Sequence, residues 1–116
     1  MNLGGRTALV TGASGGLGQA IARGLAARGA EVVLSARKVE VLDALAAEIG
    51  GRVVACDLSD RAAVGRLVDE AGPVDVLVAN AGVPGSGPLE SFTVEQIDRA
   101  LDVNLRAPMI ITRLMA

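Results

Sequence analysis

A glycine-rich stretch between a strand pattern and a helix pattern constrains the fold of this chain more than any other feature. Residues 6–10 predict a short buried strand, and the glycines of residues 12–18 follow it directly. A helix is predicted next, because apolar and small residues recur at helical spacing, namely Leu17, Ala20, Ile21, Gly24 and Leu25. A strand, a glycine turn and a helix in this order are typical of the first unit of a parallel α/β sheet.

The same alternation of strand and helix continues along the chain. Residues 31–35, 52–56 and 74–79 predict three further strands. Two amphipathic helices lie between them, with inner faces formed by Leu42, Leu45, Ala46 and Ile49 in the first and by Ala63, Val64, Leu67 and Val68 in the second.

Several predicted helices have recognisable ends. Gly50 and Gly51 end the second helix. Ser59 or Asp60 can cap the third helix, which Gly72 closes, and Thr93 with Gln96 has the spacing of a capping box before the fourth. Alternating strands and helices with short connections form parallel sheets through right-handed crossovers. We therefore expect one α/β domain over residues 1–116, a Rossmann-like doubly wound parallel sheet of about four strands with flanking helices.

The last residues carry no helix-ending signal. Residues 109–116 continue a helical pattern without a capping glycine, a proline or a polar tail. We therefore expect the domain to be incomplete at its C-terminus. The fourth strand should then lie at an open edge of the sheet, where a fifth would pair and where self-pairing is favoured.

Composition excludes several classes of function. The chain has 11 basic and 13 acidic residues, and this net charge of −2 gives no attraction to nucleic acid or to an anionic membrane. Cys56 is the only cysteine, which excludes an intrachain disulfide. It lies in an apolar strand pattern, so we expect a small buried hydrophobic residue without chemistry. The absence of histidine argues against a zinc site. No apolar stretch suits a signal peptide or a membrane span, so we expect a cytoplasmic protein.

The glycine turn predicts a phosphate-binding site. Gly12 would permit the tight turn, Gly16 would let a pyrophosphate approach the backbone, and Gly18 would allow the helix to pack closely on the strand. Free amides and the dipole at a helix start attract an anion. The structural alternative is a glycine turn without a ligand. No Gly-Lys-Ser/Thr follows, which excludes a nucleoside-triphosphate P-loop.

The spacing of residues 11–18, Thr-Gly-x-x-x-Gly-x-Gly, resembles the short-chain dehydrogenase/reductase family. Three further segments agree with it in order and spacing, namely Asp57-Leu58, Asn80-Ala81-Gly82 and Asn104 within Val103-Asn104-Leu105. The resemblance covers all 116 residues but only about the first half of a typical family member. It implies an oxidoreductase that transfers hydride between a nicotinamide cofactor and a small-molecule carbonyl or hydroxyl substrate.

The resemblance also implies the role of each matching residue. The cofactor phosphates would be lined by Gly12, Ser14, Gly16, Leu17 and Gly18. Asp57 would accept a hydrogen bond from the adenine amino group, and Leu58 would flank the ring. Asn80 would brace the sheet beside the adenosine ribose, and Ala81 and Gly82 would line the cofactor. Asn104 matches a catalytic asparagine that holds a water of a proton relay, together with a serine, a tyrosine and a lysine. The resemblance also implies a homo-oligomer for the full-length protein, because in whole family members the helix near Pro108 commonly helps to form a dimer interface.

The end of the second strand indicates which nicotinamide cofactor is preferred. NAD-binding proteins of this architecture place an acid there for the ribose 2′-hydroxyl, whereas this chain has Ala36. Arg37 and Lys38 follow and would attract a 2′-phosphate. We therefore favour NADP(H), with NAD(H) as the alternative. The structural interpretation of Arg37 and Lys38 is a pair of solvated charges at a helix start.

Structural interpretations of other residues remain open. Asp57 and Asn80 are common turn formers, and Asn104 could be a helix-breaking cap. Two pairs have helical i, i+4 spacing and indicate a solvated helix face outside any site, Glu95 with Arg99 and Asp102 with Arg106.

The chain contains no tyrosine, so the general acid of the resembled family is absent from these residues. Either they are the front part of a longer enzyme, or they form a non-catalytic dinucleotide-binding module. A methyltransferase-like binder fits the glycine turn but not the segments at Asn80 and Asn104. We expect the 116-residue chain to bind a dinucleotide weakly and to reduce nothing.

Overall fold

Four parallel strands form the central sheet of the computed structural model, which describes residues 1–116. Their order is β3-β2-β1-β4, with β1 at Thr7–Thr11, β2 at Glu31–Ser35, β3 at Arg52–Val53 and β4 at Val76–Val78. The helices are α1 Gly16–Ala27, α2 Val39–Ile49, α3 Arg61–Ala71, α4 Val94–Leu101 and α5 Ala107–Met115. The predicted doubly wound α/β fold is confirmed.

Helices cover both faces of the sheet. Val10, Val32 and Leu34 pack against α1 and α2, whereas Leu9 and Val33 pack with α3 and α5 on the opposite face. A parallel strand that is buried on both faces needs apolar residues at every position, not at alternate ones. This requirement explains the uninterrupted apolar run of β2.

The strand order creates a topological switch point. The chain moves outward from β1 to β2 and β3, and then returns to place β4 on the other side of β1. Leu9 of β1 therefore pairs with Val33 of β2 and with Leu77 of β4. The connections after β1 and after β4 leave in opposite directions, which opens a crevice at the carboxyl ends of these two strands.

The predicted helix ends agree with the structure. Asp60 caps α3 by accepting hydrogen bonds from the amides of Ala62 at 3.1 Å and Ala63 at 3.4 Å. Thr93 and Gln96 form both hydrogen bonds of a capping box. Gly50 adopts a left-handed conformation after α2. These ends were predictable because each depends on residues that are neighbours in sequence.

Two strand predictions were too long. The third strand was predicted to continue to Cys56 but ends at Val53, although the amide of Cys56 still donates to Ala36 at 3.1 Å. The fourth is limited to Val76–Val78. Within α1, Leu17 is 67% exposed, whereas Gly18 and Ala22 are buried against the sheet.

The region between α4 and α5 is helical without a break. Asp102–Arg106 form a π-helical turn that joins the two helices. The interpretation of Asn104 as a helix-breaking cap is therefore wrong. β4 lies at one edge of the sheet, as predicted. No helix in the structure has the length and apolar character that a membrane crossing requires.

Candidate functional site

A cavity of about 380 Å³ opens at the carboxyl ends of the strands. Its wall contains eight of the residues singled out from the sequence, namely Gly12, Ser14, Arg37, Lys38, Asp57, Leu58, Ala81 and Gly82. Five others lie outside the wall, namely Gly16, Leu17, Gly18, Asn80 and Asn104. The topology thus brings together residues from Thr11 to Val103 in one cavity wall.

The glycine turn is shaped by two close backbone contacts. Gly12 has a φ of +63°, and a Cβ there would stand 2.7 Å from Cα of Ala81. At Gly18 a Cβ would stand 2.2 Å from the carbonyl oxygen of Gly12. At Gly16 a Cβ would meet nothing within 4 Å, so the space over the first turn of α1 is open. Side chains at Gly12 and Gly18 would displace backbone, whereas Gly16 faces free volume.

The first turn of α1 offers amides to a ligand. Gly15 is the N-cap residue and has no side chain, so no side chain accepts from these amides. The side chain of Gln19 instead donates to the carbonyl oxygen of Ser14 at 2.8 Å, which holds the turn against the helix. Uncapped amides at a helix start, together with the helix dipole, form a site for an anion.

Thr11 and Asn80 tie the ends of β1 and β4 together. The hydroxyl oxygen of Thr11 accepts from the amides of Asn80 and Ala81, both at 3.2 Å. The side-chain amide of Asn80 donates to the carbonyl oxygen of Gly12 at 3.2 Å. Thr11 is buried, and its hydroxyl therefore needs a hydrogen-bond partner. Sequence reasoning gave Thr11 no role, although a hydroxyl residue directly after an apolar strand pattern was a usable signal.

Asp57 lies in a small polar cluster on the wall of the cavity. Its Oδ1 accepts from the amide of Ser59 at 3.0 Å and from the hydroxyl of Ser59 at 2.7 Å. The same oxygen lies 3.5 Å from Nη1 of Arg99. Burial raises the pKa of Asp57, but the hydrogen bonds from Ser59 and the charges of Arg99 and Arg37 outweigh burial and lower it. The group is therefore a carboxylate at neutral pH.

Arg99 was assigned to a solvated helix face, and this prediction is wrong. Its guanidinium donates to the hydroxyl of Ser59 at 2.8 Å and lines the cavity, and it forms no ion pair with Glu95. The second predicted pair is also wrong, because Asp102 pairs with Arg61 at 3.1 Å. The spacing of Arg99 and Val103 could have indicated this position. Residues four apart lie on the same face of a helix, and Val103 is buried, so Arg99 faces the interior of the protein and not only solvent.

The cations after β2 stand at the rim of the cavity. Arg37 and Lys38 are exposed, and neither belongs to any of the ion pairs of the chain. Ala36 precedes them, so β2 ends without an acid, and the nearest effect of Arg37 on a carboxylate is its charge acting on Asp57 without an ion pair. Both side chains are therefore available to an anion.

Asn104 supports the rim from the π-helical turn. Its Oδ1 accepts from the amide of Val83 at 2.8 Å, and its Nδ2 donates to the carbonyl oxygen of Val83 at 2.9 Å. Val83 in turn lines the cavity. The side-chain amide therefore fixes the segment that follows β4.

The thiol of Cys56 is buried and remains protonated at neutral pH. Cys56 is 7% exposed. Burial, helped by the charges of Asp57 and Asp60, raises its pKa to about 11. A protonated thiol is a poor nucleophile, so the interpretation of Cys56 as a small core residue is confirmed.

The fold and the site together define a doubly wound α/β protein with a glycine-rich turn between β1 and α1 at its switch point. A family model described as short chain dehydrogenase matches residues 6–116. Nodulation protein G of Rhizobium sp. (strain N33) is 47% identical over 115 residues, which cover 94% of this chain and 47% of that protein. L-xylulose reductase of Bos taurus is 41% identical over 117 residues, covering 100% and 48%.

A solved structure supports the same assignment. The short chain dehydrogenase of Burkholderia cenocepacia J2315 in complex with NADP superposes with a TM-score of 0.89 at 40% identity, covering 99% of this chain and 51% of that one. The protein belongs to the short-chain dehydrogenase/reductase family, as its motifs predicted. The chain spans about half the length of the curated relatives it matches.

Proposed function

We propose that the crevice at the switch point binds a nicotinamide dinucleotide and prefers NADP(H) to NAD(H). The observation that supports this preference is the rim after β2, where Ala36 replaces an acid and Arg37 and Lys38 have no carboxylate partner. A 2′-phosphate carries about −1.5 to −2 charges at neutral pH and would meet both cations. The related Burkholderia structure was solved with NADP.

The residues of the site fit such a cofactor along its length. The open space over Gly16 and the uncapped amides near Leu17 and Gly18 would receive the pyrophosphate, with Ser14 beside it. Asp57 would accept from the adenine amino group, and Leu58 would flank the ring. The remaining cofactor wall would consist of Ala81 and Gly82, braced by Gly12 and Asn80.

We propose further that the whole protein is an oxidoreductase acting on a small carbonyl or hydroxyl compound. When bound, the nicotinamide ring supplies or accepts the hydride. Asn104 would hold Val83 in place through two hydrogen bonds and would help to order a water of the proton relay. These 116 residues contain no tyrosine, so they should bind the nucleotide without reducing a carbonyl.

Self-association through the last helices is also part of the proposal. Exposed apolar side chains follow one another along this region, namely Leu101, Leu105, Met109 and Leu114, each more than half exposed. Several large apolar side chains exposed in one region are typical of a protein interaction site. We propose that this region pairs two copies of the protein.

Titration calorimetry of the chain with NADP and with NAD tests the cofactor assignment. Arg37→Ala should weaken NADP binding about ten- to a hundredfold, because a charge-assisted hydrogen bond is worth about 1.5–3 kcal/mol, and it should leave NAD binding unchanged. Arg28→Ala is the control, since this arginine donates to Gly24 in its own helix and lies outside the cavity. An unchanged NADP affinity in Arg37→Ala would contradict the proposal.

A further inference from the structure

Arg99 occupies a position for which the proposed function supplies no role. It lies on α4, and its guanidinium reaches the wall of the cavity beside Asp57. Its Nη1 lies 2.8 Å from Oγ of Ser59 and 3.5 Å from Oδ1 of Asp57. Arg99 is the only residue that forms an ion pair with Asp57. The guanidinium of Arg99 therefore acts on the carboxylate of Asp57, although 32% of the Arg99 side chain is exposed.

The two oxygens of the Asp57 carboxylate have different environments. Oδ1 accepts two hydrogen bonds from Ser59 and one from Arg99. Oδ2 accepts no hydrogen bond from the chain, since every bond to this carboxylate ends on Oδ1. Because each oxygen has about two lone pairs, Oδ1 is saturated and Oδ2 keeps its full capacity to accept.

Arg99 fixes the orientation of the Asp57 carboxylate from a separate element, the helix α4. Both donors of Ser59 come from a residue two positions along the chain, so they follow any local movement of the Asp57 loop. Arg99 is 42 residues further on, and it donates to Ser59 and to Asp57 at once. This contact fastens the loop after β3 to α4 and fixes the rotation of the carboxylate.

We propose that Arg99 is a positioning residue for adenine, which holds Oδ1 of Asp57 so that Oδ2 remains the acceptor for the exocyclic amino group. The inference rests on the proposed function, because it concerns the adenine end of the same crevice. It makes the site selective for a purine with an amino group at position 6. A purine with a carbonyl oxygen there would present a second acceptor to a carboxylate and would be rejected.

The electrostatic surroundings of Asp57 agree with this role. The titratable groups that face it are Arg99 from α4, Arg37 from the connection after β2, and the adjacent thiol of Cys56. Loss of Arg99 removes one of the charges that favour the carboxylate. The pKa of Asp57 should then rise, and with it the pH at which the acceptor is lost on acidification.

Two nucleotide probes test the inference on the 116-residue chain. NADP is compared with its deamino analogue, in which hypoxanthine replaces adenine. The wild-type dissociation constant for the analogue should exceed that for NADP about tenfold, and Arg99→Gln should reduce this ratio to about threefold or less. Arg61→Gln is the matched control, since Arg61 pairs with Asp102 outside the cavity. It should leave the ratio unchanged.

Ser59→Ala provides a second variant in case Arg99→Gln does not fold. It removes the hydroxyl that bridges Arg99 and Asp57, and it should reduce the ratio in the same direction. A readout without ligand is the pKa of Asp57, followed by carbon NMR of its carboxyl group. This pKa should rise in Arg99→Gln and should not change in Arg61→Gln.

The outcomes separate the inference from the proposed function. If Arg99→Gln weakens both probes equally, or if the pKa of Asp57 does not change, the inference is overturned and the proposed function stands. If neither probe saturates the wild-type chain, the proposed function fails and the adenine role of Arg99 fails with it. A reduced ratio together with a raised pKa supports the inference.

Discussion

Alanine at Gly18 would place a methyl group where α1 packs on the glycine turn. The added Cβ would stand 2.2 Å from the carbonyl oxygen of Gly12 and 2.9 Å from Cα of Ala13. Both are backbone atoms, so no side-chain rotation can relieve the contact. The turn and the helix would have to separate, which would also disturb the hydrogen bond from Asn80 to Gly12 at 3.2 Å.

The size of the effect follows from three contributions. Overpacking destabilises by about 1–3 kcal/mol, and a contact with rigid backbone belongs at the upper end of that range. A weakened hydrogen bond further destabilises the protein by about 0.5–1.5 kcal/mol, whereas alanine in place of glycine in a helix stabilises it by about 0.5–1 kcal/mol. We therefore expect Gly18→Ala to lower the free energy of unfolding by about 2–4 kcal/mol.

Urea unfolding followed by circular dichroism measures this difference. Gly65→Ala is the control, because Gly65 lies in α3 and its Cβ would meet nothing within 4 Å. It should stabilise the protein by about 0.5–1 kcal/mol. A Gly18→Ala protein as stable as wild type, or stabilised like Gly65→Ala, would refute the packing argument.

Two further predictions concern buried polar groups. Thr11→Val removes the hydroxyl that accepts from the amide of Ala81 at 3.2 Å. It should lower the free energy of unfolding by about 1–3 kcal/mol and speed hydrogen exchange at that amide, whereas Thr112→Val on exposed α5 should change stability little. The pKa of the Cys56 thiol is raised to about 11 from 9.0, so the unfolded chain loses this proton first. Stability should therefore fall as pH rises from 9 to 11, and less so in Cys56→Ala; an equal slope in both proteins would contradict this assignment.

Much of the architecture could be predicted because its signals are local. The cap at Asp60, the capping box at Thr93 and the glycine after α2 each involve residues within a few positions of one another. The apolar runs and their spacing indicate which elements are covered on two faces. The glycine turn was predictable for the same reason, since it joins a strand directly to a helix.

The polar wall of the crevice was only partly predictable. Arg99 was paired with Glu95 by a local rule, but its partners lie 40 and 42 residues away and depend on how α4 packs. Leu17 has helical spacing with Ile21 yet is exposed, because the absence of a side chain at Gly18 turns a different face toward the sheet. Tertiary contacts decide such cases, and a single sequence does not contain them explicitly.

The most direct test of the account is a map of backbone amide shifts on titration with NADP. We expect saturable changes at Gly16, Leu17, Gly18 and Arg37, because the cofactor phosphates should lie against the first turn of α1 and the rim after β2. The surface around Arg23 and Glu48, where α1 and α2 are joined by an ion pair, should not respond. Changes confined to that surface, or no saturable change at the glycine turn, would contradict the assignment of the crevice as the dinucleotide site.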